Sequence, residues 1–272
     1  MPYQTQGIVV TNRNIQSHYF LMEIDCPPIA TRIQPGQFIM IEVSEDRSPL
    51  LRRPFSLHRS FPMHDSDQRR RGRFSILYQR VGKGTQKMTE WKRGKKLDVI
   101  GPLGNGFRLP PPSPHPTLVL IGGGVGIVSL YPLAQKCKTL PILVFIGGKK
   151  ADDLLCVREF KKFNSTLLIA TEDGSVGFKG TVIDLFLSQD RKGWMGRSLH
   201  LYACGPIPML QALARVLKPK GISCQASLEA RMACGFGACW GCVVKTNDPK
   251  VPFQRVCKEG PIFHLEEILW EP

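Results

Sequence analysis

The sequence predicts a small antiparallel β-barrel, then a doubly wound parallel α/β domain, then a short cysteine-rich lobe. Three observations predict it. Six short strand patterns lie between Thr5 and Leu109; after a proline-rich stretch the pattern changes to short apolar runs separated by helical segments; and four cysteines crowd between Cys234 and Cys257. Short strands between turn signals suit a barrel, and apolar runs without alternation suit strands covered on both faces.

The candidate barrel strands are Gly7–Asn12, His18–Ile24, Gln37–Val43, Pro54–Arg59, Arg73–Arg80 and Lys96–Ile100, with one helical stretch, Gly84–Lys92. The run Leu109-Pro110-Pro111-Pro112-Ser113-Pro114-His115-Pro116 can form neither helix nor central strand, so it reads as a stiff linker. Beyond it, the strands Thr117–Ile121, Ile142–Ile146, Thr166–Ala170, Leu199–Ala203 and Ser223–Leu228 alternate with the helices Leu130–Cys137, Thr181–Leu187 and Pro208–Leu217. That alternation argues for a parallel sheet. The expected units are residues 1–112, 117–229 and 230–272.

Composition narrows the class. The 272 residues are 42% apolar, with 26 glycines and 22 prolines, enough for two modest cores rich in turns. The 37 basic and 22 acidic residues leave a formal charge of +15. Much of the excess sits in scattered pairs such as Lys149-Lys150, so no nucleic-acid surface is expected. The dense run Arg69-Arg70-Arg71-Gly72-Arg73 reads as a solvated hairpin tip, with a docking patch for an acidic partner as the alternative. No apolar run approaches the ~18 residues of a membrane span, and Met1–Gly7 shows no signal-peptide pattern, so a cytoplasmic protein is expected.

The cysteine segment is the most specific signal. Cys234, Cys239, Cys242 and Cys257 follow C-x4-C-x2-C-x14-C, and C-x4-C-x2-C is the plant-ferredoxin-type 2Fe-2S spacing. Glycines 235, 237 and 241 let the backbone wrap closely round a small cluster. A structural zinc site usually shows paired C-x2-C knuckles, and only one such pair exists here.

Two turns point to a nucleotide. Leu118–Ile121 runs into Gly122, Gly123, Gly124, Val125 and Gly126, a glycine-rich turn suited to a pyrophosphate; Ser129 is the expected N-cap, which places Pro132 in the first helical turn. Cys204, Gly205 and Pro206 form a second turn after a strand, at the sheet edge where such ligands bind.

A nicotinamide exchanges two electrons as hydride, whereas a 2Fe-2S cluster takes one at a time. A flavin handles both, so this pairing predicts a flavin between them. The barrel offers Arg53, Pro54, Phe55 and Ser56, with Arg53 suited to a phosphate and Ser56 to the isoalloxazine edge, and Val81–Thr85 as a second anion nest.

Together these residues resemble the ferredoxin-reductase superfamily and, more narrowly, the electron-transfer subunits of dihydroorotate dehydrogenase B. The likeness rests on Arg53–Ser56, Leu77-Tyr78-Gln79, Gly82–Thr85, Gly101–Phe107, Gly122–Gly126, Cys204–Pro206 and Met232–Cys242. It implies an FAD site at Arg53, Pro54, Phe55, Ser56, Leu77, Tyr78, Gln79, Gly84 and Thr85. It also implies an NAD domain carrying Gly122, Gly123, Gly124, Gly126, Cys204, Gly205 and Pro206. Cys234, Cys239, Cys242 and Cys257 would be the cluster ligands, and Ser56 and Cys204 are the candidate catalytic side chains. The implied partner is a separate FMN-containing subunit that oxidises dihydroorotate to orotate, two of each in a heterotetramer. The family often carries arginine where Gln79 stands, and here the arginine is Arg80, which a strand turns to the opposite face. The alternative is a related flavin/2Fe-2S NAD(P)H oxidoreductase subunit of ferredoxin:NADP or hydrogenase type.

Overall fold

The computed structural model describes residues 2–46, 48–112, 115–190 and 198–270. Its first sheet contains β1 (Tyr3–Gln16), β2 (Tyr19–Asp25), β3 (Phe38–Ile41), β4 (Arg53–Ser56), β5 (Arg59–Phe61), β6 (Arg73–Gln79) and β7 (Lys96–Leu103). The order is β4-β3-β7-β1-β2-β6-β5, and every pair is antiparallel. Strands β4 and β5 stand at opposite edges, yet only Leu57 and His58 separate them. A link that short spans roughly 10 Å, so the edges must meet and the sheet must roll into a barrel. The expected strand Pro54–Arg59 is therefore two strands with a corner between them. At that corner the His58 amide donates to the Ser75 carbonyl at 2.9 Å. Met22, Ile24, Ile39, Ile41, Phe74, Ile76 and Val99 fill the interior.

Two short helices close the barrel, α1 (Pro27–Ala30) and α2 (Lys83–Thr89). Helix α2 ends earlier than expected, because the Asn12 amide takes the carbonyls of Met88 and Trp91 at 2.7 and 3.3 Å. The basic run folds back on its own hairpin: Arg70 and Arg73 both donate to Glu23, and Arg70 lies 3.8 Å over the Phe61 ring.

The second sheet alternates with helices: β8 (Thr117–Gly123), α3 (Ile127–Lys136), β9 (Ile142–Gly148), α4 (Val157–Phe160), β10 (Ser165–Thr171), β11 (Phe178–Lys179), α5 (Val182–Asp190), β12 (Leu199–Cys204), α6 (Ile207–Leu217) and β13 (Cys224–Ser227). Their order is β11-β10-β9-β8-β12-β13, all parallel. Leu118 and Leu120 pack with α3 and α4, while Val119 and Ile121 face α5 and α6. Alternate residues of one strand thus serve opposite layers, which is why the run lacks polar positions. Strand order reverses between β8 and β12, and that crevice is where such sheets bind ligands.

Helix α3 differs from expectation. Its N-cap is Gly126, and the Ser129 hydroxyl donates to the Gly126 carbonyl at 2.9 Å from inside the first turn. Pro132 therefore lies past the first turn and denies the Val128 carbonyl its amide partner. The early start has a packing cause: a Cβ on Gly126 would stand 2.5 Å from the Cys204 carbonyl oxygen. Of the proline-rich stretch, Ser113 and Pro114 lie outside the described residues. The residue just before it is tied to the parallel sheet, since the Tyr202 hydroxyl donates to the Arg108 carbonyl at 2.9 Å.

The C-terminal lobe carries β14 (Val243–Lys245), β15 (Phe253–Arg255) and β16 (Ile262–His264). Strand β16 joins the parallel sheet as an antiparallel edge beside β13. Among the described residues, no helix is long and apolar enough to cross a membrane.

Candidate functional site

A cavity of about 460 Å³ opens where the barrel meets the carboxyl edge of the parallel sheet. The barrel contributes Arg53, Pro54, Phe55 and Ser56 from β4, Leu77, Tyr78 and Gln79 from β6, and Thr85 from α2. The opposite wall holds Gly126, Ser129, Cys204, Ser227 and Glu229. The volume lies within the range of small-molecule sites and suits a flat ring system.

Each polar group here has a definite state. Arg53 uses one guanidinium nitrogen on the Leu51 carbonyl at 2.6 Å and keeps further donors in its fork. Gly84 does not line the cavity; it lies behind Arg53, where a Cβ would meet the guanidinium Nε at 3.3 Å. The Thr85 hydroxyl accepts the Val81 and Gly82 amides and donates to the Gly82 carbonyl at 3.2 Å, so it closes its own loop. The Tyr78 hydroxyl donates to Asn12 at 3.1 Å, and burial pushes its pKa up to about 12. Gln79 meets the His18 ring at 2.5 Å, and Arg80 is exposed. The Ser56 hydroxyl faces the cavity with no protein partner among the described residues.

Cys204 is buried, and burial, then the charge of Glu229, raises its pKa to about 12 against the hydroxyls of Ser129 and Ser227. It is therefore a neutral thiol, suited to packing rather than to nucleophilic attack. Glu229 is exposed, and partial desolvation on its cavity side raises its carboxyl pKa.

The glycine turn behind this wall divides by role. Gly122 and Gly126 pack against neighbouring backbone and Ile127, and Gly123 sits on Gly205, Pro206 and Met209. Gly124 differs: its φ is +53°, and nothing lies within 4 Å of where a Cβ would stand. A left-handed residue beside open space at a helix N-terminus fits a bound pyrophosphate.

The cysteine lobe forms a second centre. The Cys257 amide donates to the Cys242 sulfur at 3.4 Å. Burial alone would raise the Cys234 thiol, but the amides of Cys239, Phe236 and Ala238 and the Cys239 thiol bring it down to about 6. Cys257 is raised by burial and by its contact with Cys242. The four thiols therefore stand as two pairs, Cys234 with Cys239 and Cys242 with Cys257. Among the described residues, no three His, Cys, Asp or Glu side chains converge on one ion position. Two pairs of thiols, with amides aimed at sulfur, fit a binuclear cluster with two thiolates per iron better than one tetrahedral zinc. Gly235 and Gly237 turn at φ +80° and +91°, and such angles let the loop bend back over its own ligands.

The two centres share a strand. Phe38 of β3 lines the cavity, and Met40, two residues on, lies against Gly235, whose Cβ would stand 2.5 Å from the Met40 Cγ. The Asn105 amide donates to the Gly260 carbonyl at 2.6 Å and pins the lobe to the barrel. Trp240 is 54% exposed and Phe236 50%, and Arg255 stacks 4.3 Å over the Trp240 ring while donating to the Gly237 carbonyl at 2.6 Å.

Barrel, parallel sheet and strapped-on lobe define a ferredoxin-reductase-like oxidoreductase fold. The chain aligns over 97% of its length, at TM-score 0.81 and 30% identity, with 90% of a chain from a structure described as an NADH-dependent reduced ferredoxin-NADP oxidoreductase and discussed for flavin-based electron bifurcation. A ferredoxin reductase of carbazole 1,9a-dioxygenase shares the fold at TM-score 0.65 and 22% identity, over 81% of this chain and 67% of that one. The family model for the iron-sulfur cluster binding domain of dihydroorotate dehydrogenase B matches residues 229–269. The dihydroorotate dehydrogenase B (NAD(+)) electron transfer subunit of Desulforamulus reducens is 35% identical over 255 residues, 93% of each chain. That of Caldanaerobacter subterraneus subsp. tengcongensis is 34% identical, over 99% of this chain and all of the relative. The chain belongs to the family of dihydroorotate dehydrogenase B electron-transfer subunits.

Several wall residues, among them Phe38, Ser129, Ser227, Glu229, Met232 and Pro261, were not candidates from sequence as parts of this cavity. Glu229 had an available signal, because it directly follows the expected strand Ser223–Leu228 at the ligand-binding edge of the sheet.

Proposed function

We propose that this chain passes electrons between NAD and a partner subunit through FAD and a 2Fe-2S cluster. The observation that carries this reading is β3, which faces the cavity with Phe38 and the cysteine loop with Met40. In this reading residues 1–112 hold FAD, 117–229 hold NAD, and 230–272 hold the cluster. Bound FAD converts hydride chemistry into single-electron chemistry. The chain's own side chains position it. Arg53 holds a phosphate, Tyr78 and Leu77 bound the ring, and Ser56 offers a free hydroxyl to it. Cys204 packs where the nicotinamide must approach. Cys234, Cys239, Cys242 and Cys257 ligate the cluster.

The partner is an FMN-containing subunit that oxidises dihydroorotate to orotate, assembled two and two, in the cytoplasm. Mixing purified chain with that subunit should give NAD⁺-linked orotate formation. NAD⁺-linked turnover by the partner alone overturns the proposal. The likeness to the NADH-dependent reduced ferredoxin-NADP oxidoreductase favours a second reading, service to a different electron acceptor. Activity with reduced ferredoxin and none with the dihydroorotate-oxidising partner would select it.

A further inference from the structure

Arg255, at the end of β15, is a cation fixed in place beside the cysteine loop. Its Nε donates to the Glu259 carboxylate at 3.0 Å, and Nη2 pairs with the other carboxylate oxygen. The same carboxylate accepts the Arg255 backbone amide at 2.8 Å, so the turn from Arg255 to Glu259 closes on itself. The guanidinium stacks 4.3 Å over the Trp240 ring, and the side chain is only 14% exposed. A planar fork anchored in this way keeps its remaining arm in a set direction. That arm, Nη1, donates to the Gly237 carbonyl at 2.6 Å.

The grip on Gly237 reaches a cysteine through peptide geometry. In a trans peptide the carbonyl and the N–H that follows it are coplanar and point in opposite directions. The Gly237 carbonyl and the Ala238 amide belong to one such plane. Arg255 holds the carbonyl on one side, and the Ala238 amide faces the Cys234 sulfur on the other. Gly237 is where this plane can turn over: its φ is +91°, and a residue without a Cβ opposes rotation least. Trp240, whose ring the guanidinium covers, is also left-handed at φ +57°, an uncommon state for a bulky residue.

We propose that Arg255 is a positioning residue for the cluster: by gripping the Gly237 carbonyl it aims the Ala238 amide at the Cys234 sulfur, and so raises the reduction potential. Reduction adds one electron to the cluster and breaks no bond. An N–H aimed at a ligand sulfur stabilises the added negative charge, and hydrogen bonds to the sulfurs are among the levers that set such potentials. A higher potential makes the cluster the readier acceptor of single electrons from the flavin. The positive charge of Arg255 acts in the same sense, so the test must read the amide as well as the potential. The inference rests on the proposed function, since it presupposes a cluster on Cys234, Cys239, Cys242 and Cys257.

The test is an anaerobic redox titration of the full chain carrying its cluster, followed by electron paramagnetic resonance, with the chain also made on 15N-alanine. The dithionite-reduced wild type should show a 15N hyperfine coupling from alanine. Ala238→Gly, which removes that label, should abolish it and so assign it. Arg255→Met should keep iron and acid-labile sulfide but lose the alanine coupling. At a fixed potential it should cut the reduced-to-oxidised ratio about tenfold, a downward shift of about 59 mV for one electron. Either readout at its wild-type value overturns the proposal; a lowered potential with the coupling intact would assign the effect to charge alone. Should Arg255→Met fail to hold iron, Arg255→Lys decides. It keeps the charge without the fork, so both readouts must fall, and wild-type values overturn the proposal. Wild-type chain without iron and acid-labile sulfide would instead defeat the functional reading beneath it.

Discussion

The cavity between barrel and parallel sheet and the cysteine lobe are built in opposite ways. The lobe gathers its four thiols from one stretch, Cys234–Cys257, and turns them inward with local amides and two left-handed glycines. The cavity draws its walls from β3, β4, β6, α2, α3, β12 and the segment after β13. One centre is a property of a loop; the other exists only when two folded units meet. The difference teaches which substitutions act locally and which act through assembly.

The sharpest test removes one ligand of the local centre. Cys239→Ser or Cys257→Ser should abolish the cluster, read as lost iron and acid-labile sulfide, while FAD and NADH-dye activity remain. Loss of FAD in both variants would break the comparison, because it would make the lobe part of the cavity's assembly.

On the cavity side, Arg53→Ala removes a charged donor and should weaken FAD retention about 10- to 100-fold, on the scale of ~1.5–3 kcal/mol for a hydrogen bond to a charged group. FAD release during dilution measures it, and iron content should not change.

The seam between the two folded units has its own pH signature. His58 is buried at the β4–β5 corner, 3.2 Å from the Ser75 hydroxyl and 5.4 Å from the Tyr131 ring. Burial, then the charges of Arg59 and Arg70, holds its pKa down to about 3 against a usual 6.5. The unfolded chain thus binds more protons between those values. His58 therefore costs no stability above pH 6.5, and stability falls as pH drops from there toward 3. His58→Gln should flatten that fall in denaturant midpoints, and an unchanged acid slope would show the seam to be indifferent to His58.

The smallest effect belongs to the basic tip. Arg69→Ala should shift stability by less than ~0.5 kcal/mol. Arg70→Ala, which uncovers Phe61 and leaves Glu23 with Arg73 alone, should cost more.

Legibility followed the same division. The cysteine spacing is local, and the structure draws those thiols into pairs. The β4 and β6 residues named from sequence all border one cavity. Ser129 is a case where local reasoning misled: capping chemistry favoured it, but close packing of Gly126 on Cys204 starts the helix earlier. The unbroken strand Pro54–Arg59 failed because barrel closure puts a corner inside it. Phe38, Ser129 and Pro261 meet only through tertiary contact, so no spacing announces them.

Strand β3 has a mechanical consequence. Residues two apart on a strand are held about 7 Å apart by covalent geometry and ladder hydrogen bonds. In the proposed reading Phe38 and Met40 would act as a ruler between flavin cavity and cysteine loop. Because electron tunnelling decays steeply with distance, a ruler embedded in a barrel wall would, in that reading, hold the handover distance fixed while nucleotides come and go. Adjustment of throughput would then be left to the binding and departure of those nucleotides.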